Sequence, residues 1–269
     1  MADERLTRGG YLSAENGAAL LRGPAAELFA RWRSFLAVRL ASLTDETVEA
    51  PAFIDRQVLT TTKYLAHFPQ QVVVGRGYRA PRSRSRYLTP ATCLHWYGRV
   101  AGTALAGDHR SAFVVGPCAR AESGRTAFPY RLAAFHMAEL VVLGAADVVD
   151  AEAREVEETL AESFRRLGIG GGFQPATDAF FLPSSRGARL MQQLKGLKRE
   201  FTSPLQAHDI ALASINRHED FFARAFGIRL ASGQPAHSFC AAFGLERLTA
   251  AGLVTWGSDP AQWPRALSG

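Results

Sequence analysis

Three stretches of this 269-residue chain concentrate side chains able to hold phosphate, a flat ring or a metal ion. The first is Cys118-Ala-Arg120-Ala-Glu122; the second is Arg131, followed at four-residue steps by Phe135 and Glu139. Alternate residues of extended chain share a face, so Arg131, Phe135 and Glu139 point one way, and Arg120 and Glu122 likewise share a face. Two arginines, two carboxylates and an aromatic ring would make a poor core. As a binding surface they make sense: guanidinium groups grip phosphate or carboxylate, and Phe135 offers a stacking plane. The third stretch runs from Cys240 through Gly244 to Glu246 and Arg247, a strand turning through glycine into a helix. Taken singly, each also has an ordinary explanation, such as a surface ion pair or a helix-start glycine. Arg79, Arg82, Arg84 and Arg86 form the densest basic loop, either a solvated connection or a contact for phosphate or an acidic partner.

The elements that must position these residues are visible in the hydrophobic pattern. Residues 17–43 read as a helix-rich start, with Leu28, Trp32, Phe35 and Leu36 at helical spacing and Pro24 at its opening. Gln57 to Thr62 carries strand-like residues, and Val72 to Val74 is a short β-branched run. From Pro90 to Leu143 the pattern is strand–turn–strand. Apolar stretches at 111–115 and 132–143 flank a loop with Ser123, Gly124, Arg125 and Pro129, as in a long antiparallel hairpin. Val156, Leu160, Phe164 and Leu167 mark an amphipathic helix over 151–167, stopped by the tract Gly168 to Gly172. Further helices are predicted over 187–197, 219–226 and 246–253, and strands over 210–215 and 236–241. The pattern predicts an α+β fold, a largely antiparallel sheet flanked by helices. A dinucleotide-binding fold does not fit, because the glycine tract follows a helix and G-x-G-x-x-G is missing.

Composition narrows the function classes. With 47% hydrophobic and 21% charged residues the chain is an ordinary globular protein. The 31 basic and 25 acidic side chains leave a formal charge of +6, without the Lys-rich tail or basic–aromatic repeat of a nucleic-acid binder. Three widely spaced cysteines, Cys93, Cys118 and Cys240, argue against a disulfide scaffold and fit a reducing compartment. By themselves Cys93 and Cys240 read as small buried apolar residues. The longest apolar run, Leu140 to Val149, is too short to span a bilayer, and the polar N-terminus lacks a secretory core, so a cytoplasmic protein is expected.

In order and spacing, the arginine–acid pair, the F-x-x-x-E and the late F-G-L-E-R resemble motifs 2 and 3 of class II aminoacyl-tRNA synthetases. The stretch is similar to motif 2 of seryl-tRNA synthetase, with Ala119 and Ala134 departing from the usual aromatic residue and glutamine. No heptad segment is long enough for that enzyme's tRNA-gripping arm. Over residues 55 to 253 the chain instead resembles the amino acid:[carrier protein] ligases, truncated homologues of the atypical, zinc-dependent seryl-tRNA synthetase catalytic domain. Tyr64-Leu-Ala-His-Phe-Pro69, Pro90-Ala-Thr-Cys93, Lys198-Arg-Glu200, Ala213-Ser-Ile-Asn216-Arg-His218 and Ala236 to Arg247 carry the likeness.

The resemblance implies a class II synthetase-like antiparallel sheet over 51–269 as catalytic domain; residues 1–50 carry no part of the likeness and are read from their pattern as an N-terminal helical extension. It implies ATP-dependent formation of an aminoacyl adenylate and transfer to the phosphopantetheine thiol of a carrier protein. Cys93, Glu139 and Cys240 would hold Zn²⁺ with one position open, a donor set that suits the metal. Arg120 would meet the α-phosphate and substrate carboxylate, Glu122 the adenine amino edge, and Phe135 and Arg247 the faces of the ring. Arg131 would lie near the outer phosphates, with Mg²⁺ bridging them and Glu200 as a carboxylate ligand. Lys198, Ser214 and Asn216 would line the amino acid pocket. A homodimer without a tRNA partner is expected. The alternatives are an enzyme loading tRNA or a small amine, and a non-catalytic synthetase paralogue.

Overall fold

The computed structural model describes residues 4–13, 17–79, 81, 84–121, 129–176, 197–205 and 208–267. The chain opens with α1 (Glu4–Arg8), β1 (Tyr11–Ser13), β2 (Ala19–Leu21) and α2 (Pro24–Arg39). Then come β3 (Glu46–Glu49), β4 (Phe53–Ile54), α3 (Arg56–Thr61), α4 (Tyr64–His67), β5 (Val74–Gly75), β6 (Arg86–Leu88) and α5 (Cys93–Arg99). The long hairpin is β7 (His109–Ala119) and β8 (Ala134–Gly144), followed by α6 (Ala146–Arg166) and β9 (Gly172–Pro175). The chain ends with β10 (Lys198–Leu205), β11 (His208–Glu219), α7 (Phe221–Phe226), β12 (His237–Gly244) and α8 (Leu245–Trp256).

Seven strands form the main sheet in the order β3-β7-β8-β12-β11-β10-β9, antiparallel throughout except where β3 runs parallel to β7. Side chains alternate across the sheet, and both faces are covered. Phe113, Val115, Leu140, Val142, Phe239 and Phe243 enter one core with α2, α6 and α8, while Val114, Val141, Leu143 and Cys240 enter a second with α3, α5 and α7. Two-sided burial is why the central strands read as continuous apolar runs rather than an alternation. Gly116 marks a close approach: a Cβ there would stand 2.5 Å from the carbonyl oxygen of Ala50, just beyond β3.

The first fifty residues are woven into this body. Trp32 of α2 is fully buried, stacked on Trp256 of α8 at 5.8 Å between centroids and edge-on to Phe164 of α6 at 6.3 Å. β3 supplies the sheet's edge strand.

Several expectations are corrected. The run from Gln57 to Thr62 is not a strand but helix α3 as far as Thr61, because Asp55 accepts the Gln57 N–H at 2.7 Å and caps a helix. Within the stretch expected to be only strand and turn, Cys93 opens helix α5. Arg131 precedes β8, so strand alternation does not govern its direction. The hairpin loop with Glu122, Ser123, Gly124 and Arg125, Arg82 of the basic loop, and all but Leu197 of the helix expected over 187–197 lie outside the described residues. Among the described residues no helix is long and apolar enough to cross a membrane.

Replacing Trp32 with alanine empties the junction of α2, α6 and α8. Urea unfolding of Trp32→Ala is expected to show a loss of about 3–5 kcal/mol, whereas a detachable N-terminal segment would leave the main transition in place.

Candidate active site

Sheet register assembles the site. Antiparallel pairing sets Glu139 opposite Ala242, Ala242 opposite Ser214, and Ser214 opposite Glu200. One step along, Cys240 lies opposite Asn216 and Asn216 opposite Lys198. Paired residues point to the same face, so a row across four strands and a second across three, polar except at Ala242, line one cavity. Its rim and walls add Arg120 from just beyond β7, Arg131 from the segment before β8, Phe135 from the start of β8, Cys93 from α5 and Arg247 from α8. Every described residue expected in the site therefore borders a single cavity. Glu122 falls outside the described residues.

The ligand atoms of Cys93, Glu139 and Cys240 lie within 4.8 Å of one another, and all three residues are buried. Glu139 Oε1 accepts from the Thr92 backbone N–H at 2.8 Å, the Thr92 hydroxyl at 2.7 Å and the Cys93 N–H at 3.1 Å. All three bonds land on one oxygen, which leaves the other for a further partner. The Cys93 thiol is pushed well above its ordinary pKa, first by its hydrogen bond to Cys240, then by burial and by the charge of Glu139. These surroundings favour the protonated Cys93 thiol, and a divalent cation is what reverses that preference. The donor set thus fits zinc.

Around this cluster the polar groups are held in place. Asn216 Nδ2 donates to Ser214 Oγ at 3.0 Å and lies 3.5 Å from Cys240 Sγ. Lys198 Nζ pairs with Glu200 Oε1 at 2.6 Å. Arg120 donates from Nε to the Pro90 carbonyl at 2.9 Å, and its guanidinium lies 5.2 Å from the Phe135 ring centre. Arg247 donates to the carbonyls of Tyr130 (2.8 and 3.1 Å) and Ala211 (3.0 Å), which fixes its head at the cavity edge. Cys118 is buried and takes no place on the cavity wall.

Sequence reasoning missed Thr92, His218 and Glu246 as site residues. His218 lies with Nε2 3.7 Å from Cys240 Sγ and Nδ1 3.2 Å from both Tyr97 Oη and Ser238 Oγ. Burial lowers its pKa to about 3, so the ring is neutral. Glu246 accepts the His136 backbone N–H at 2.8 Å and bonds the His136 ring at 2.8 Å, joining α8 to β8. The signal for His218 was available: it follows Ser214 and Asn216 at two-residue steps on one strand face.

No protein-family model matches the chain. Structures of known proteins do. The seryl-tRNA synthetase of M. kandleri, solved with A. aeolicus tRNASec, superposes with a TM-score of 0.82 at 19% identity over 98% of this chain and 58% of that one. The Pyrococcus horikoshii seryl-tRNA synthetase complexed with ATP gives 0.75 at 18% identity, over 94% of this chain and 58% of that one. The fold is that of a class II aminoacyl-tRNA synthetase catalytic domain. Within that fold the sequence is similar to amino acid–[acyl-carrier-protein] ligase 2 of Bradyrhizobium diazoefficiens, 34% identical over 183 residues. The match covers 67% of this chain and 54% of the ligase, so the chain spans about half the length of that relative. The resemblance to carrier-protein ligases read from the motifs is thus matched by overall sequence similarity, and the cavity lies on the sheet of the synthetase fold.

Glu139→Ala would strip the acceptor from Thr92 and Cys93, a loss expected at about 2–4 kcal/mol in urea unfolding. Glu139→Gln keeps an acceptor oxygen in place and, with both proteins metal-free, is expected to unfold within about 1 kcal/mol of the parent.

Proposed function

We propose that this chain activates an amino acid with ATP and transfers it to the phosphopantetheine thiol of a carrier protein. The observation that carries the reading is the convergence of Arg120, Arg131, Phe135, Glu200 and Arg247 with the Cys93–Glu139–Cys240 cluster on one cavity. The similarity to the B. diazoefficiens carrier-protein ligase and the ATP complex of the P. horikoshii neighbour support it.

In the first step an oxygen of the amino acid carboxylate attacks the α-phosphorus of ATP. The bond to the bridging oxygen breaks and pyrophosphate leaves with its electrons. The chain supplies no nucleophile. Its contribution is positioning and neutralisation of charge on the transferred phosphorus. Arg120 meets the α-phosphate and substrate carboxylate; Phe135 and Arg247 take the faces of adenine, and Glu122 its amino edge. Arg131 meets the outer phosphates, and Glu200 is the carboxylate that would hold Mg²⁺. In the second step the carrier thiol, having lost its proton, attacks the acyl carbon, AMP leaves and a thioester forms.

Cys93, Glu139 and Cys240 would hold Zn²⁺, which when bound offers an open position for the substrate amino group. Thr92 orients the Glu139 ligand and His218 lies against the Cys240 ligand, the kind of support that tunes metal sites. Lys198, Ser214 and Asn216 shape the side-chain pocket. We further assign a homodimer and a reducing, cytoplasmic setting, in which two ligand thiols stay free.

ATP–pyrophosphate exchange across the amino acids is the direct test. Exchange is expected with one or a few amino acids, and its complete absence would overturn the activating function. Cys240→Ser and Glu139→Gln are expected to lose bound zinc, measured by elemental analysis, and to lower exchange at least ~100-fold while remaining folded. Exchange that survives metal removal would remove zinc from the assignment. Intact-mass analysis after incubation with holo-carrier protein or with tRNA separates the two acceptors.

A further inference from the structure

Charge on this chain is unevenly distributed along the sequence. Residues 50–92 hold seven basic side chains, Arg56, Lys63, Arg76, Arg79, Arg82, Arg84 and Arg86, against one acidic, Asp55. Taking seven from 31 and one from 25 leaves 24 of each sign elsewhere, so this segment carries the whole formal excess of +6. The described members of the set are exposed, and Arg76, Arg79, Arg84 and Arg86 have no carboxylate partner among the described residues.

The described ones ride on the small antiparallel sheet β4-β6-β5 and its connections. Apolar groups stand among them: Tyr78 is 98% exposed, and Phe53 and Val74 are each 49% exposed. The Arg86 guanidinium lies 5.9 Å from the Phe53 ring centre. Exposed aromatic and aliphatic groups ringed by arginine are the composition of a protein-recognition patch.

The patch is joined to the wall of the cavity. Thr89 accepts the Ala119 N–H at 2.8 Å, and Gln71 accepts the Ala121 N–H at 2.9 Å, which ties the segment to the chain carrying Arg120. β6 runs directly into Ala91 of the cavity wall. Arg86 is five residues from Ala91, so their Cα atoms are separated by at most about 18 Å.

We propose that this arginine-rich sheet is the docking surface for the acceptor, a phosphopantetheinylated carrier protein with an acidic face. This deepens the proposed function and rests on its carrier-protein reading. The phosphodiester of the prosthetic group is itself an anion, and a negatively charged face around it complements the patch while the thiol reaches the cavity. A second copy of this chain is the poorer occupant, because a two-fold contact here would set arginine against arginine. RNA is the competing anion, and the charged patch alone would suit it; the exposed apolar centre and the carrier-protein relative favour a protein.

The test uses Arg76→Glu, Arg79→Glu and Arg84→Glu combined, with the matching glutamine triple variant as a milder partner. The probes are an acidic holo-acyl-carrier protein, free pantetheine and total tRNA. The parent protein is expected to load the carrier with a KM that rises as salt is raised from about 50 to 300 mM, as exposed charges are screened. The glutamate variant is expected to raise the carrier KM at least ~10-fold and to flatten that salt dependence. Pyrophosphate exchange and transfer to pantetheine should stay unchanged in both variants, which also shows that they fold. An unchanged carrier KM in the glutamate variant overturns the docking surface and leaves the proposed function standing. Exchange by the parent without loading of the carrier overturns the carrier reading, and the surface with it. Loss of tRNA retention with no change in carrier KM assigns the patch to RNA and overturns the proposal.

Discussion

A carboxylate buried between two thiols needs hydrogen-bond donors of its own, and Glu139 finds them on a single residue pair. The backbone and hydroxyl of Thr92 and the backbone of Cys93 all donate to Oε1. That arrangement fastens the first turn of α5 to the centre of β8 and brings Cys93 against Cys240 of the neighbouring strand β12. If Glu139 faced the other side of the sheet, a charge would enter the aromatic core and α5 would lose its anchor. The position of the helix, the thiol pair and the part of the cavity wall they form all follow from one residue's parity.

Parity in turn is enforced by burial on both faces. Phe239, Ala241 and Phe243 must point into the core beneath α2, α6 and α8, and this leaves Cys240 and Ala242 for the opposite side. The same step sends Ser214, Asn216 and His218 to the cavity and Ala213 and Ile215 to the core. A slip of one residue in any strand would bury polar groups and expose the core face, so the hydrophobic pattern that stabilises the domain also registers its polar rows. Trp32, locked between α6 and α8, makes the N-terminal segment part of that constraint.

Electrostatics divide the molecule into two working regions. Inside the cavity each charged group has partners: Lys198 with Glu200, Arg247 with two backbone carbonyls, Arg120 with Pro90 and the Phe135 ring. On the small sheet outside, arginines stand exposed around Tyr78, Phe53 and Val74. Partnered charge suits a site that positions a substrate, whereas exposed charge acts at a distance on an approaching partner.

The local pattern by itself determined the α+β class, the hairpin of β7 and β8, the helices α2, α6 and α8, and the motif residues from Arg120 to Arg247. Those features are written in periodicity and in short-range residue order, which a linear reading can follow. The small elements were different: Asp55 turned a β-branched run into α3 through one capping bond, and Arg131 escaped the strand rule because β8 starts three residues later. Cys93, Glu139 and Cys240 lie 46 and 101 positions apart, and no spacing rule links them without a known relative. Only the tertiary structure brought their ligand atoms within 4.8 Å and added Thr92 and His218 around them. Such a cluster depends on strand order and register, and these are settled by packing both faces of a sheet at once, which is a property of the whole chain rather than of any segment.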